Sequence, residues 1–301
     1  MPSPILPSNL ADPTGQDRRE RAVIAEFSRR LRTVRQAYVA VLDRIPRQTV
    51  TVNAETTQYT ITPELLAGLL TEVALQVDRI LLQNEVGQLW FIEAGVVPAY
   101  QAGAAQQFTN LSVQSATYAA SRQNLTALIT SQPYQTRLGF LKLRVEDSLR
   151  GYSAGVQAQM SQVLQDGLVT GRNPRDIAKL LADQTGVAYR KAETIARTEV
   201  PGALRAARLQ EADAARSELG IKTLECHLSA LSPTTRKTHR DRHATLHTTQ
   251  DQRDWWSRDG NFANCKCSTV SVLVDDKGQP LTPGVISRAK AMLEKNPAPS
   301  Q

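Results

Sequence analysis

All the histidines and cysteines of the chain lie in one short stretch of its C-terminal third. The sequence has three cysteines and four histidines, and the first 225 residues contain neither type. His239 and His243 are four residues apart, so on a helix they would share one face. The Cys265-Lys266-Cys267 segment would present two thiolates from a tight turn. Because two histidines and two cysteines can hold a structural zinc ion tetrahedrally, the sequence predicts a zinc site formed by His239, His243, Cys265 and Cys267.

Two other interpretations of these residues stay open at this point. In the first, the histidines are exposed helix residues and the cysteines are small buried hydrophobic residues. In the second, the two thiols form a reactive or disulfide-forming pair, although an odd number of cysteines argues against a disulfide framework. The neighbouring Arg236, Lys237, Arg240 and Arg242 disfavour a bound cation unless thiolates neutralise it.

The same basic residues are candidates for contact with a polyanion. The chain has a net charge of +7 and a pI near 9.5, which is compatible with DNA or an acidic protein surface as a neighbour. We therefore predict contacts with DNA or a partner through Arg236, Lys237, Arg240 and Arg242, with a merely solvated surface as the alternative. For a second basic stretch, Arg18–Arg35, the solvated interpretation is favoured. The Trp255-Trp256 pair would stack on bases or, as we favour, anchor a small core.

No catalytic constellation is evident in the sequence. The segment from His239 to His243 superficially resembles the H-E-x-x-H metalloprotease motif, but Arg240 occupies the position of the general base. The chain lacks a G-x-S-x-G nucleophile motif, a P-loop and a glycine-rich dinucleotide fingerprint. The sequence therefore predicts a protein that is not an enzyme.

Apolar periodicity predicts a mostly helical fold of the α+β class, with a long helical body and a small C-terminal β-containing module. Residues 1–16 are Pro-rich and are expected to form a flexible arm. A small hairpin is expected over Thr49–Thr62, and short β runs over Ile221–Leu228 and Thr269–Asp275. Helices are predicted over about 17–45, from Thr62 onward and over about 85–98. A further helix is predicted from there to about 129, and others from 133 onward, over 174–185, over 188–218 and from 282.

Three segments in fixed order have recognisable motifs. The first, Ala192–Glu199, contains the string IARTE, and the second, Leu231–His239, reads LSPTTRKTH. The third, Asn264–Ser268, reads NCKCS and is followed by the hydrophobic run Val270–Val274. Together these segments, which span about residues 167–275, resemble the phage head-morphogenesis family typified by phage Mu F-like minor head proteins.

The resemblance implies a structural role in the head of a tailed bacteriophage. Proteins of this family act in head assembly and associate with the portal and with DNA, so the expected partners are the portal protein, the inner capsid shell and packaged double-stranded DNA. The expected location is the virion, at the capsid interior or portal vertex. The alternatives are a zinc-stabilised nucleic-acid-binding module and a phage-carried hydrolase or toxin effector.

The resemblance also suggests a division into domains. We predict a flexible arm at 1–16, a helical region for portal or shell docking at 17–165, the Mu F-like head morphogenesis domain at 166–275 and a tail at 276–301. No apolar run approaches the roughly 20 residues that span a bilayer, so no membrane association is expected. The first residues lack the features of a secretory signal, which is consistent with synthesis in a reducing cytoplasm.

Overall fold

The computed structural model describes residues 3–51 and 55–297, so the tip of the predicted hairpin and the last four residues lie outside the described part. Helices dominate the chain before Gly220 and short strands appear mainly after it, which confirms the predicted fold class. The helices are α1 (Asp17–Arg44), α2 (Pro63–Leu82), α3 (Val97–Gln114), α4 (Ala116–Arg122), α5 (Leu125–Thr130), α6 (Gln132–Val169), α7 (Pro174–Leu219), α8 (Lys237–Asp241), α9 (Thr249–Ser257) and α10 (Gly284–Lys295). The strands are β1 (Arg47–Thr51), β2 (Glu55–Tyr59), β3 (Thr223–Leu228), β4 (Leu246–His247) and β5 (Ser268–Leu273).

The chain folds into two compact units, and each is assembled from separate segments. The sheet unit comprises the residues up to Arg21, Gly95–Lys142 and the residues from Ala196 onward. The helical unit comprises Ala22–Ala94 and Leu143–Ile195. This division by compactness does not correspond to the domains predicted at 17–165 and 166–275, and those bounds stay a prediction.

The helical unit is organised around a cluster of aromatic rings. The ring of Phe27 in α1 lies 4.9 Å from that of Trp90 and 5.8 Å from that of Tyr152 in α6. Arg30, one turn after Phe27, donates to the carbonyl oxygens of Ile80 and Gln83 at the end of α2. These carbonyls have no partner within their own helix, so the buried guanidinium closes the C-terminal end of α2.

The sheet unit contains an antiparallel sheet of three strands in the order β4-β3-β5. All six residues of β5 are buried. The edge of β5 meets the amide side chains of α3: Asn110 and Gln114 each donate to the Ser271 carbonyl at 2.9 Å, and the Leu273 amide donates to Gln114. An exposed strand edge invites pairing with other chains, and here side-chain amides cover it.

The segment before α1 is packed, in contrast to the predicted flexible arm. Asp12 is 2% exposed and Thr14 is fully buried. The Leu10 carbonyl accepts a hydrogen bond from the Leu231 amide at 2.7 Å, and the Ile5 amide donates to Asn110. The prolines of this segment led to the prediction of a flexible arm, but backbone hydrogen bonds to other segments of the sheet unit and the turn around Asp12 hold residues 3–16 in place.

Three predicted helices have different bounds in the structure. The helices expected at 174–185 and 188–218 are one continuous helix, α7, through Gly186. The residues after Gln83 form a tight turn in which Asn84 accepts from the amides of Val86 and Gln88, so the next helix begins later than residue 85. Pro98 does not end that helix but lies in the first turn of α3, directly after a π-helical turn over Ile92–Val96.

Candidate metal centre

The histidine and cysteine residues lie on two connections that leave the same end of the sheet. His239 lies in α8, between β3 and β4, whereas Cys265 and Cys267 directly precede β5. The last residue of β3, Leu228, pairs with the first residue of β5, Ser268. The antiparallel register therefore brings the segment after β3 next to the segment before β5.

The two thiols and one imidazole form a compact buried cluster. The Nδ1 atom of His239 lies 3.3 Å from the Cys267 sulfur and 3.5 Å from the Cys265 sulfur. The three potential ligand atoms all lie within 4.8 Å of one another, and each of the three residues is 2% exposed. Both cysteines are free thiols. The predicted proximity of His239 to the two cysteines is thus observed.

A buried arginine from α7 holds the backbone of the two cysteines. Arg205 is 2% exposed, and its Nη1 atom donates to the carbonyl oxygens of Cys265 at 2.6 Å and Cys267 at 3.2 Å. Its guanidinium lies over the rings of Trp256 and Phe262 at 4.8 and 5.0 Å. Because Arg205 binds both carbonyls of the C-x-C turn, it fixes the spacing of the two thiols.

The pKa values of the two thiols shift in opposite directions because the thiols share a hydrogen bond. The side-chain hydrogen bond between Cys265 and Cys267 lowers the pKa of Cys265 well below its usual value and raises the pKa of Cys267 well above its own. Burial opposes the change at Cys265, and the positive charge of Arg205 favours it.

A cavity of about 600 Å³ adjoins the cluster, and His239, Cys265 and Cys267 form part of its wall. The remaining wall is mostly polar, with hydroxyl, amide and cationic side chains. A small molecule or ion in this cavity can therefore approach the thiols directly. The other lining residues are Arg197, Ala230, Ser232, Thr234, Thr235, Arg236, Ala263, Asn264 and Lys266.

His243 is not part of the cluster, and its prediction as a zinc ligand is wrong. Its Nδ1 atom accepts from the Ser229 amide at 3.1 Å, so Nε2 carries the proton and donates to the Ala289 carbonyl in α10 at 2.9 Å. Helix α8 ends at Asp241. The spacing of four residues therefore does not place His243 on the helix face of His239.

The other two histidines also lie outside the cluster of His239, Cys265 and Cys267. The Nδ1 atom of His227 lies 3.2 Å from the side-chain oxygen of Gln252, and burial lowers the pKa of His227 to about 3. His227 is consequently neutral at physiological pH and cannot serve as a charged group. His247 lies in β4 and contacts the Thr245 hydroxyl at 2.7 Å.

The four basic residues predicted to contact DNA or a partner have different environments. Arg236 donates to the carbonyl oxygens of Gly260, Asn261 and Ala263, so it holds the loop before the cysteines. The Arg242 guanidinium lies 4.9 Å from the centre of the Trp255 ring. Lys237 is exposed and pairs with Asp241 one turn later, and Arg240 is half-buried. Contact with a polyanion through these residues stays a prediction, and Arg236 and Arg242 have structural contacts within the chain.

Trp255 and Trp256 belong to the core, as favoured from the sequence. Both are buried and pack with Leu209, Cys265 and Cys267. The Trp255 ring also lies 4.6 Å from the His239 ring at an interplanar angle of 67°. The aromatic pair therefore forms one wall of the cluster and is not available for stacking on bases.

Arg205 is the important residue of this site that the sequence did not indicate. It lies in the middle of a helix rich in alanine and arginine, where exposed arginines are common. Its position eight residues after Arg197 of the IARTE string gives no sign that it faces inward. Only the packing of α7 against the segment before β5 identifies it.

A comparison with protein families bears on the identity of the chain. Residues 158–270 match the family described as phage Mu protein F like protein. This range contains α7, β3, β4 and the residues of the cluster, and it confirms the resemblance predicted from the three motifs. Residues 158–270 are therefore a phage Mu protein F-like region, and this similarity indicates a head-related phage protein. No curated protein and no solved structure gives a significant match.

The similarity of residues 158–270 to a phage head family indicates a location in the virion. Among the described residues, no helix combines the length and the apolar character needed to cross a bilayer.

Proposed function

We propose that this protein is a minor head protein of a tailed bacteriophage that acts in head assembly. The observation that carries the proposal is the match of residues 158–270 to the phage Mu protein F like family. The proposed partners are the portal protein and the inner capsid shell, and packaged double-stranded DNA is a third candidate. In this role the protein needs surfaces for its partners and no catalytic site.

The geometry of the cluster favours a structural role over a hydrolytic one. A metalloprotease of the H-E-x-x-H type requires two histidines on one helical face with a carboxylate between them. Here His243 binds Ser229 and Ala289 instead, and Arg240 occupies the position of the base. The hydrolase alternative therefore loses the arrangement on which it depended.

The nucleic-acid-binding alternative rests on the basic stretch around α8. Of its four basic residues, Lys237 and Arg240 have side chains without a described contact to a neighbouring loop, whereas Arg236 and Arg242 contact residues of their own unit. A patch of two charges supports weak, salt-sensitive attraction to phosphates rather than specific binding. DNA contact is therefore proposed only as a supplement to docking on the head.

The first test is whether the protein is inside phage heads. Heads purified through a density gradient should contain the protein in few copies per particle, as measured by quantitative mass spectrometry. It should resist added protease until the heads are opened, while an exposed tail protein in the same sample is degraded. Recovery of the protein only from the soluble fraction of infected cells, with none in purified heads, would contradict the proposal.

A further inference from the structure

The strongest unexplained feature of the molecule is a single imidazole nitrogen that faces two thiols. In a tetrahedral zinc site, Zn–S bonds of about 2.3 Å and Zn–N bonds of about 2.0–2.1 Å place nitrogen and sulfur about 3.5 Å apart. The corresponding distances from His239 Nδ1 to the two sulfurs are 3.3 and 3.5 Å. We propose that His239, Cys265 and Cys267 bind one Zn²⁺ ion, with a fourth coordination position that faces the adjoining cavity.

The donor set favours zinc over the other common divalent cations. Two thiolates and one imidazole are soft and intermediate ligands, whereas Mg²⁺ and Ca²⁺ take oxygen ligands. Both cysteines must lose their protons on binding, and the ion then compensates two negative charges in a buried position.

The tautomer of His239 is compatible with binding through Nδ1. Its Nε2 atom is buried and has no hydrogen-bond partner among the described residues. Nδ1 is therefore the ring atom that meets potential partners, and those partners are the two sulfurs. A proton on Nε2 leaves the Nδ1 lone pair free for a metal.

The surroundings hold the three ligands in place before any ion binds. Arg205 binds both carbonyls of the C-x-C turn, and the Trp255 ring packs against His239. Arg236, directly before α8, binds three carbonyls of the loop that leads to Cys265. Such contacts behind the ligands are what orients a metal site, and they reduce the ordering that binding requires.

The fourth position distinguishes this site from a closed structural zinc site with four protein ligands. His243, the expected fourth ligand, is engaged elsewhere, and the cluster opens into a cavity of about 600 Å³. A water molecule is the simplest fourth ligand, and it would be exchangeable. Zinc in this position would join α8 to the segment before β5 and so stabilise the end of the sheet.

The proposal is tested on the full chain, purified under reducing conditions and loaded with Zn²⁺ alone. Metal analysis should find about one equivalent, and a chelator should lower the melting temperature of the protein. Loading with Co²⁺ instead should give thiolate-to-cobalt charge-transfer bands and the visible absorption of a tetrahedral site. The Cys265→Ser variant should lose these bands.

Cys226→Ser provides the matched control. Cys226 is equally buried but packs under α10 with Leu228 and Val270, away from the cluster. This variant should keep the metal, even if its melting temperature falls. His243→Gln should keep it as well, which separates the three-ligand site from the four-ligand prediction.

Two results would overturn the proposal. One is wild-type protein that is folded but binds less than a tenth of an equivalent of Zn²⁺ or Co²⁺. The other is a Cys265–Cys267 disulfide, detected by mass spectrometry in protein that was purified under reducing conditions and then incubated with metal. Because these measurements use the isolated chain, their failure would not affect the proposed role in the phage head.

Discussion

Arg236 and Lys237 are neighbours in the sequence but have different roles in the structure. Arg236 donates to three loop carbonyls, whereas Lys237 is exposed and forms one ion pair on the surface with Asp241. Surface ion pairs contribute roughly 0–1 kcal/mol to stability. Hydrogen bonds from a charged donor contribute about 1.5–3 kcal/mol each. Any test of partner binding by charge reversal must therefore leave Arg236 unchanged.

A double charge reversal at Lys237 and Arg240 should separate partner binding from folding. We expect Lys237→Glu with Arg240→Glu to change the melting temperature little, because Lys237 is exposed and Arg240 half-buried. Incorporation into phage heads should fall several-fold if these charges meet DNA or an acidic shell surface. The measurement is the copy number per purified head.

The control is Arg175→Glu with Lys179→Glu, which makes the same change of net charge on exposed positions of α7. This control should enter heads normally. Equal incorporation of the two double variants would exclude the basic stretch around α8 from the docking mechanism.

The residue types alone predicted part of the candidate site. Histidines and cysteines confined to one stretch of chain indicated the cluster, and His239, Cys265 and Cys267 do come together. The assignment of His243 failed because residues four positions apart share a face only within a continuous helix, and α8 is a single turn. Arg205 could not be predicted, since its inward orientation depends on tertiary packing.

At the level of elements, the approach of α3 to α7 depends on one glycine. A Cβ atom placed on Gly103 would lie 2.2 Å from the backbone oxygen of Leu204, whereas one on Gly68 in α2 would meet no atom within 4 Å. A backbone oxygen cannot move aside as the end of a flexible side chain can. Gly103 therefore permits a contact that other residues would prevent.

Gly103→Ala should accordingly destabilise the protein by about 3 kcal/mol, at the upper end of the usual cost of overpacking. Gly68→Ala, the control, should leave stability unchanged or raise it by roughly 0.5–1 kcal/mol, because alanine is the better helix former. Urea unfolding followed by circular dichroism measures both. A Gly103→Ala variant as stable as Gly68→Ala would show that α3 and α7 are not in close contact.

The sequence predicted the existence of most elements better than their ends. Helix starts with side-chain caps were clear, as at Thr62, whose hydroxyl accepts from the Leu65 amide ahead of Pro63. The division of α7 near Gly186 was wrong because one glycine costs a helix only about 1 kcal/mol. The buried Ala188, Ala192 and Ala196 continue the packed face beyond it.

At the level of the whole molecule, the family region does not include all of the residues that complete its sheet. Residues 158–270 match the family, but β5 extends to Leu273 and its edge is covered by Asn110 and Gln114 of α3. Gln107 adds a hydrogen bond to the Ser271 hydroxyl at 2.6 Å. Sequence motifs could not reveal this dependence, because the amide residues of α3 are ordinary polar helix residues until the fold brings them to the strand.

A fragment of residues 158–301 should therefore fold poorly on its own. It lacks α3, so the Ser271 carbonyl and the edge of a fully buried strand would lose their partners, which favours aggregation. We expect a broad, non-cooperative thermal transition by circular dichroism, whereas the full chain, which retains α3, should melt cooperatively. If the 158–301 fragment instead melts cooperatively at the temperature of the full chain, α3 is dispensable. The predicted domain at 166–275 would then be close to an independent folding unit.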